Sequence, residues 1–158
     1  MIDKNRRNLF RRVKNSPFKS FIYPPYFEKK EDFLKCMECE TKDCLTACEE
    51  KIIKIENEMP VLDFSNSGCT FCDACAQTCP HGVLKIENKK EKIADIILIP
   101  NKCLAWNQTI CFSCQDICEE NAIIYNGMFS PVIDMEKCTG CGFCVGVCPT
   151  DAIEYKPL

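Results

Sequence analysis

The stretch CTGCGFCVGVCP, residues 138–149, spaces four cysteines as C-x2-C-x2-C-x3-C and follows the last one with a proline. The stretch CTFCDACAQTCP, residues 69–80, repeats both the spacing and the proline. Two further groups bring this chain of 158 residues to 16 cysteines. Their gaps are longer, with C-x2-C-x4-C-x3-C at 36–48 and C-x7-C-x2-C-x3-C at 103–118. We number the groups one to four in chain order.

The spacing of groups two and four is the one with which bacterial ferredoxins bind [4Fe–4S] clusters, the fourth cysteine reaching the neighbouring cluster. Three cysteines on a tight loop can hold three corners of a cubane. We expect the fourth to begin a helical turn directed at the partner group, since a proline has a φ suited to the first helical position. Gly140 and Gly142 are expected to relieve crowding where backbone N–H groups approach the cluster sulfurs. Zinc is the main alternative, but a tetrahedral ion takes two C-x2-C pairs and leaves the regular third and fourth cysteines unused.

The crossed arrangement predicts four ligand sets, each made of the first three cysteines of one group and the last cysteine of its partner. Set one is Cys36, Cys39, Cys44 and Cys79, and set two is Cys69, Cys72, Cys75 and Cys48. Set three is Cys103, Cys111, Cys114 and Cys148, and set four is Cys138, Cys141, Cys144 and Cys118. The long gap in group three raises the alternative of a decayed site, but decay would be expected to remove cysteines and this group keeps all four. We therefore expect four [4Fe–4S] clusters, which act as one-electron carriers and stabilise a core that is small for the chain length.

The first cysteines of the groups lie 33, 34 and 35 residues apart, which indicates an internal repeat. Groups two and four end in Cys-Pro whereas groups one and three end in Cys-Glu, so the repeat is a duplicated two-group unit. Apolar runs such as KIIKIE and GVLKIE follow the groups, and PVLDF and PVIDM precede the next ones, which predicts strands paired as hairpins. The predicted fold is α+β, a tandem pair of bacterial two-cluster ferredoxin-like units built of short hairpins and short helices. We assign the units to 30–92 and 93–158, after an extended basic and aromatic arm at 1–29.

Charge is unevenly distributed along the chain. Residues 1–20 hold seven Lys and Arg against one Asp, whereas the remaining residues hold 13 Lys and Arg against 22 Asp and Glu. A basic arm on an acidic body predicts docking to an acidic surface or to anionic lipid, a solvated terminus being the alternative. The acidic body argues against nucleic-acid binding.

The N-terminal sequence also bears on location. The pair Arg6-Arg7 resembles the start of a twin-arginine export signal, but Arg11, Arg12 and Lys14 occupy the place of its apolar stretch. No run reaches the roughly 20 apolar residues of a membrane-spanning helix, and IADIILIP at 93–100 suits a buried strand. We expect a cytoplasmic protein without a transmembrane segment, in which dense cysteines bind metal instead of forming disulfides.

The remaining conspicuous residues favour structural roles. His81 is expected in a turn, and Trp106 either covers the third cluster or simply packs. The aromatic run FKSFIYPPYF at 18–27 predicts an extended strap, which packs on the first unit or binds a partner. The sequence contains no nucleophile triad, phosphate loop or dinucleotide fingerprint, so we expect no enzyme activity of its own.

Several stretches together resemble the NapF ferredoxin-type proteins that accompany periplasmic nitrate reductases. They are RRNLF, PPYF, ACEEKII, CTFCDACAQTCP, CLAWNQTICFSCQDICEENAII and CTGCGFCVGVCPTDAI. The resemblance implies a cytoplasmic [4Fe–4S] protein that interacts with the catalytic subunit of the reductase before export and assists its maturation. The x4 gap of group one departs from the family, in which x2 is common.

Two other functions fit the cysteine groups. One is a general polyferredoxin that carries electrons between a donor and a cytoplasmic or membrane oxidoreductase, with other redox proteins as partners. The second is an iron–sulfur subunit of a membrane complex that docks through the basic arm.

Overall fold

The computed structural model describes residues 21–158, so the basic stretch at 1–20 lies outside the described residues. The helices are α1 (Asp43–Ala47), α2 (Ala74–Gln77), α3 (Ser113–Asp116) and α4 (Phe143–Gly146). The strands are β1 (Ile53–Glu56), β2 (Met59–Leu62), β3 (Ala94–Leu98), β4 (Ile123–Asn126), β5 (Phe129–Ile133) and β6 (Ile153–Pro157). Two 3-10 segments lie at Lys30–Glu38 and Ile86–Asn88. These short mixed elements agree with the predicted α+β class. No helix among the described residues combines the length and the apolar character needed to cross a membrane.

Two hairpins link the cysteine groups, as predicted. Strand β1 pairs antiparallel with β2, with Ile53 opposite Leu62, and connects group one to group two. Strand β4 pairs in the same way with β5 and connects group three to group four. The predicted strand at 93–100 is β3, which pairs antiparallel with β6 near the end of the chain. This pairing brings the start of the predicted second unit back to its end.

The run GVLKIE at 82–87 was predicted to be a strand, and that prediction is wrong. The chain there forms a turn and the 3-10 segment Ile86–Asn88. The backbone N–H of Lys85 donates to the carbonyl of Tyr26 at 2.7 Å, and the N–H of Lys90 donates to the carbonyl of Pro25 at 2.7 Å. The partner of this run is therefore the segment 21–27, which is not extended throughout because its backbone turns at Pro25 and Tyr26. Pro24 and Pro25 have no N–H to donate, so a regular ladder cannot form against them.

The aromatic strap packs on the first unit. Tyr23, Tyr26 and Phe27 are buried together with Phe33. The rings of Tyr23 and Phe33 stack at 4.3 Å, and Phe27 meets Phe33 edge-on at 5.0 Å. Residues 22–27, which the predicted domain division assigns to the arm, thus lie in the same core as β1 and β2.

Each helix contains the third cysteine of its group and ends before the fourth. In group two, α2 contains Cys75, and Cys79 follows two residues after the helix ends. The prediction that the fourth cysteine begins a helical turn is therefore wrong. The reason lies before the helix, where Lys42, Asp73 and Gly142 adopt left-handed φ angles of 49°, 63° and 90°. This conformation turns the chain out of the cysteine loop and starts the helix earlier than the proline would.

Gly140 and Gly142 of group four make room for protein atoms. A Cβ on Gly142 would collide with the ring of Phe64, and a Cβ on Gly140 would collide with the backbone of Ala94. Phe64 belongs to the first predicted unit and is 0% exposed. Its ring also meets Tyr155 edge-on at 5.1 Å, so the contact at Gly142 is part of an interface between the first and second halves of the chain.

We predict that Gly142→Ala destabilises the protein more than Gly127→Ala. Both glycines have positive φ, so an alanine at either costs about 1–2 kcal/mol. Nothing lies within 4 Å of a Cβ at Gly127, whereas the collision with Phe64 adds about 1–3 kcal/mol at Gly142. Anaerobic urea unfolding of the cluster-loaded proteins, followed by circular dichroism, measures the difference. Equal losses in the two variants would contradict the importance of the Phe64 contact.

Candidate functional site

Two cavities are lined by cysteines in the combinations that the crossed arrangement predicts. The first is lined by the cysteines of set two, namely Cys48, Cys69, Cys72 and Cys75. The second is lined by the cysteines of set four, namely Cys118, Cys138, Cys141 and Cys144. In both cavities three cysteines of one loop meet the last cysteine of the paired group.

The other two sets are also brought together. In set one, the thiol of Cys36 lies close enough to Cys79, Cys44 and Cys39 to interact electrostatically with all three. In set three, Cys114 interacts in the same way with Cys103 and Cys111. Cys103 and Cys148 pack in one small apolar cluster with Ala105 and Ala152. The fold therefore assembles all four predicted sets, and ligation of one cluster by each set stays a prediction.

Three thiols of sets one and two, Cys36, Cys44 and Cys75, are difficult to ionise without a metal because burial raises their pKa. Burial, followed by repulsion from neighbouring thiolates, raises the pKa of Cys75 to about 12. The same two causes, burial first, raise the pKa of Cys36 and Cys44 to about 11. A metal core supplies the positive charge that converts such thiols into thiolate ligands. The sets thus have the chemistry of a metal site, not of a row of exposed, reactive thiols.

Among residues 21–158, no group of three or more His, Cys, Asp or Glu side chains is tight enough to surround one metal ion. A tetrahedral zinc ion holds each sulfur at about 2.3 Å from a single centre, whereas in a [4Fe–4S] cluster each cysteine binds a different iron.

Backbone N–H groups donate to the fourth cysteine of three groups. The N–H of Leu84 lies 3.4 Å from Sγ of Cys79, and the N–H of Ala152 lies 3.2 Å from Sγ of Cys148. The N–H of Ala122 makes the same contact with Cys118 at 3.4 Å. Hydrogen bonds to ligand sulfurs stabilise the thiolate and tune the reduction potential of a cluster. The donor is the alanine four residues after the fourth cysteine in groups three and four, and the leucine five residues after it in group two; this role was not predicted.

Tyr125 of β4 supports the loop of group three, a role that sequence reasoning missed. The hydroxyl of Tyr125 donates to the carbonyl of Cys111 at 2.6 Å and lies 3.8 Å from Sγ of Cys114. Its ring packs on Phe112 with centroids 4.9 Å apart. Burial and the nearby Cys114 thiol raise the pKa of Tyr125, so the hydroxyl stays protonated and able to donate. Tyr125 thereby braces the second half of the long loop.

The first half of the long loop is held by Trp106. Its indole N–H donates to the carbonyl of Pro131 at 2.9 Å, and the side chain is 39% exposed. Of the two roles left open for Trp106, this contact favours packing on β5. The only histidine, His81, lies exposed in a turn, as predicted.

The enlarged loop of group one is fastened by Lys42. Its ammonium group donates to the carbonyl of Cys36 and to the carbonyl of Glu58, the latter at 2.8 Å. It also lies 3.4 Å from the carboxylate of Glu58. Lys42 therefore places a positive charge next to set one and ties its loop to the β1–β2 hairpin.

We predict that Tyr125→Phe makes set three labile, whereas Tyr23→Phe does not affect any set. The first variant leaves the carbonyl of Cys111 without its donor, at a cost of about 1–3 kcal/mol. Tyr23 is the matched control because its buried hydroxyl has no hydrogen-bond partner among the described residues, so its removal is neutral or stabilising. The measurement is the rate at which iron is lost to a chelator under anaerobic conditions. The bracing role of Tyr125 is contradicted if both variants lose iron at the rate of the unmodified protein.

Family comparisons agree with this chemistry. Residues 35–83 match the 4Fe-4S dicluster domain, and residues 131–154 match the 4Fe-4S binding domain. The first range covers groups one and two and the second covers group four. Group three lies outside both ranges, in keeping with its unusual spacing.

Curated relatives match over most of the chain. The ferredoxin-type protein NapF of Escherichia coli (strain K12) is 33% identical over 167 residues, which cover 99% of this chain and 97% of that protein. NapF of Haemophilus influenzae is 33% identical over 143 residues, covering 87% and 80%. The methylamine utilization ferredoxin-type protein MauM of Methylorubrum extorquens is 28% identical over 151 residues, covering 80% and 67%. The agreement in length, cysteine chemistry and matched domains shows that this chain binds [4Fe–4S] clusters and belongs to the NapF ferredoxin-type family.

Proposed function

We propose that this iron–sulfur electron-transfer protein is a cytoplasmic accessory protein of a periplasmic nitrate reductase. It carries four [4Fe–4S] clusters, binds the catalytic subunit of the reductase before export, and assists maturation by electron transfer or by assembly of a cluster or cofactor. The observation that carries the proposal is the meeting of cysteines in four crossed sets within a chain that is similar to NapF over nearly its whole length. The basic stretch at 1–20 supports docking to a protein partner of opposite charge.

The residues of the chain have defined tasks in this function. When bound, each cluster supplies the capacity to accept or release one electron. The cysteines hold it, the N–H groups of Leu84, Ala122 and Ala152 stabilise thiolate charge, and Tyr125 and Lys42 keep the two irregular loops closed. We assign no catalytic residue, because electron transfer at these sets needs neither a nucleophile nor a general acid. Any bond-making chemistry belongs to the partner.

A general polyferredoxin is the alternative function. MauM, named for methylamine utilization, is similar to this chain over 80% of its length. The subunit PorD of the pyruvate synthase of Thermotoga maritima is 38% identical over 61 residues. Similar sequences thus occur in proteins named for other redox systems. Under this alternative, the protein exchanges electrons with several oxidoreductases and does not select the reductase precursor.

We predict about sixteen irons per chain in the anaerobically purified protein, four for each set. Replacing Cys111 with Ala removes a ligand found only in set three, so the count should fall to about twelve. Iron and sulfide analysis with electron paramagnetic resonance (EPR) measures both. A count of about twelve before any substitution, unchanged by Cys111→Ala, would mean that group three holds no cluster.

We predict that the full-length protein captures the precursor of the reductase catalytic subunit and that removal of residues 1–20 weakens capture. The truncation stops at residue 20 because the following strap is part of the buried core. A matched variant keeps the arm but changes Arg6, Arg7, Arg11 and Arg12 to Gln, which separates charge from length. Capture by neither the full-length nor the truncated protein would exclude the accessory function and leave the polyferredoxin.

A further inference from the structure

The two cysteine sets of each half of the chain lie side by side. In the first half, α1 packs against α2, and Cys44 of set one and Cys75 of set two belong to one packed core. In the second half, α3 packs against α4, and Cys114 of set three shares a packed core with Cys144 of set four. Each half therefore contains a pair of adjacent sets. This is expected because, in the crossed arrangement, the last cysteine of each group belongs to the set of the partner group.

The halves meet through groups two and four. The N–H of Cys69 donates to the carbonyl of Cys141 at 2.7 Å, which joins a residue of set two directly to one of set four. A Cβ on Gly68 would lie 2.6 Å from the ring of Phe143, so these two residues are in tight contact. Together with the packing of Phe64 on Gly142, these contacts press one cysteine loop against the other.

The junction between Cys69 and Cys141 joins residues that are distant in the sequence. The two cysteines are 72 positions apart in the sequence, and the whole of group three lies between them. Spatial order and chain order therefore differ.

We infer that the four sets form a single row in the order one, two, four, three, with the contact between Cys69 and Cys141 as the junction of the two halves. The inference rests on the proposed occupancy of all four sets. Groups two and three are consecutive in the sequence, yet they are not the groups that join the halves. Sets one and three, which have the two irregular loops, form the opposite ends of the row.

The redox consequence is a single connected path. An electron that crosses between the halves leaves a reduced cluster in set two, which becomes oxidised, and reduces the cluster in set four. No proton moves and no bond forms or breaks. The electron originates from an external one-electron donor, for which dithionite serves in the experiment.

Two double variants of the full chain test the order. Cys39→Ser with Cys111→Ser removes one ligand from each of sets one and three and leaves only sets two and four intact. Cys72→Ser with Cys141→Ser does the reverse and leaves only sets one and three. Both should retain about eight irons, and dithionite reduction makes the remaining clusters paramagnetic. Because magnetic coupling falls steeply with distance, the first variant should give an EPR spectrum split by coupling and the second should give two independent signals.

The outcomes separate this inference from the proposed function. Eight irons with uncoupled signals in the first variant would overturn the order of the row while leaving cluster binding intact. Coupled signals in the second variant would overturn it as well. An iron count well below sixteen in the unmodified protein would instead contradict the proposed occupancy on which the inference depends.

If the double variants fail to retain iron, a variant that keeps all the cysteines tests the junction between the halves instead. Phe143→Ala removes the ring that packs on Gly68, whereas Val147→Ala, from the same loop and 38% exposed, is the matched control. Hydrogen exchange by mass spectrometry on the loaded chain should show protection of the Cys69 amide. That protection should fall on the order of tenfold in Phe143→Ala only. An unprotected amide in the unmodified protein, or an equal fall in both variants, would overturn the junction.

Discussion

The burial of cysteine sulfurs is the constraint on which this structure depends. Three thiols of one loop and one of another meet in each set, and burial raises the pKa of Cys36 to about 11 and that of Cys75 to about 12. Thiolates confined in this way are stable only around a positively charged metal core. The helices are of one turn and the hairpins have strands of four or five residues, so the protein has few other means of holding the loops together. We therefore expect cluster binding to stabilise the fold.

The buried aromatic and apolar side chains pack beside the cysteine loops and between the two halves of the chain. The strap of residues 22–27 covers the first half of the chain with tyrosine, proline and phenylalanine side chains. The second half begins with β3 and closes through its pairing with β6. Between the halves, Phe64 occupies the space that Gly142 leaves free. Electron transfer requires the sets to be close together and fixed in position. The aromatic packing of the strap and of Phe64 supports both conditions.

Much of this arrangement is predictable from residue spacing. The crossed pairing of the cysteines, the two hairpins and the turn at His81 all agree with expectation, because a regular loop has few ways to direct four sulfurs. The fourth cysteines were expected to begin helices and instead follow them. In α1, α2 and α4, a left-handed residue before the third cysteine starts the helix early. The strand expected at 82–87 is absent because its partner there is a proline-containing strap. The supporting roles of Tyr125 and Lys42 depend on contacts with backbone carbonyls, which leave no pattern in a single sequence.

The sequence by itself determined the cofactor chemistry, the number of cysteine groups and their pairing within each half. These depend on residue type and on separations of a few positions, over which the chain has little freedom. Only the tertiary structure decided which groups meet across the halves. That choice depends on complementary shapes, a ring at Phe64 and the missing side chain at Gly142, together with one hydrogen bond between Cys69 and Cys141. Residues so far apart in the chain come together through packing. The spacing of cysteines within one group does not predict such contacts.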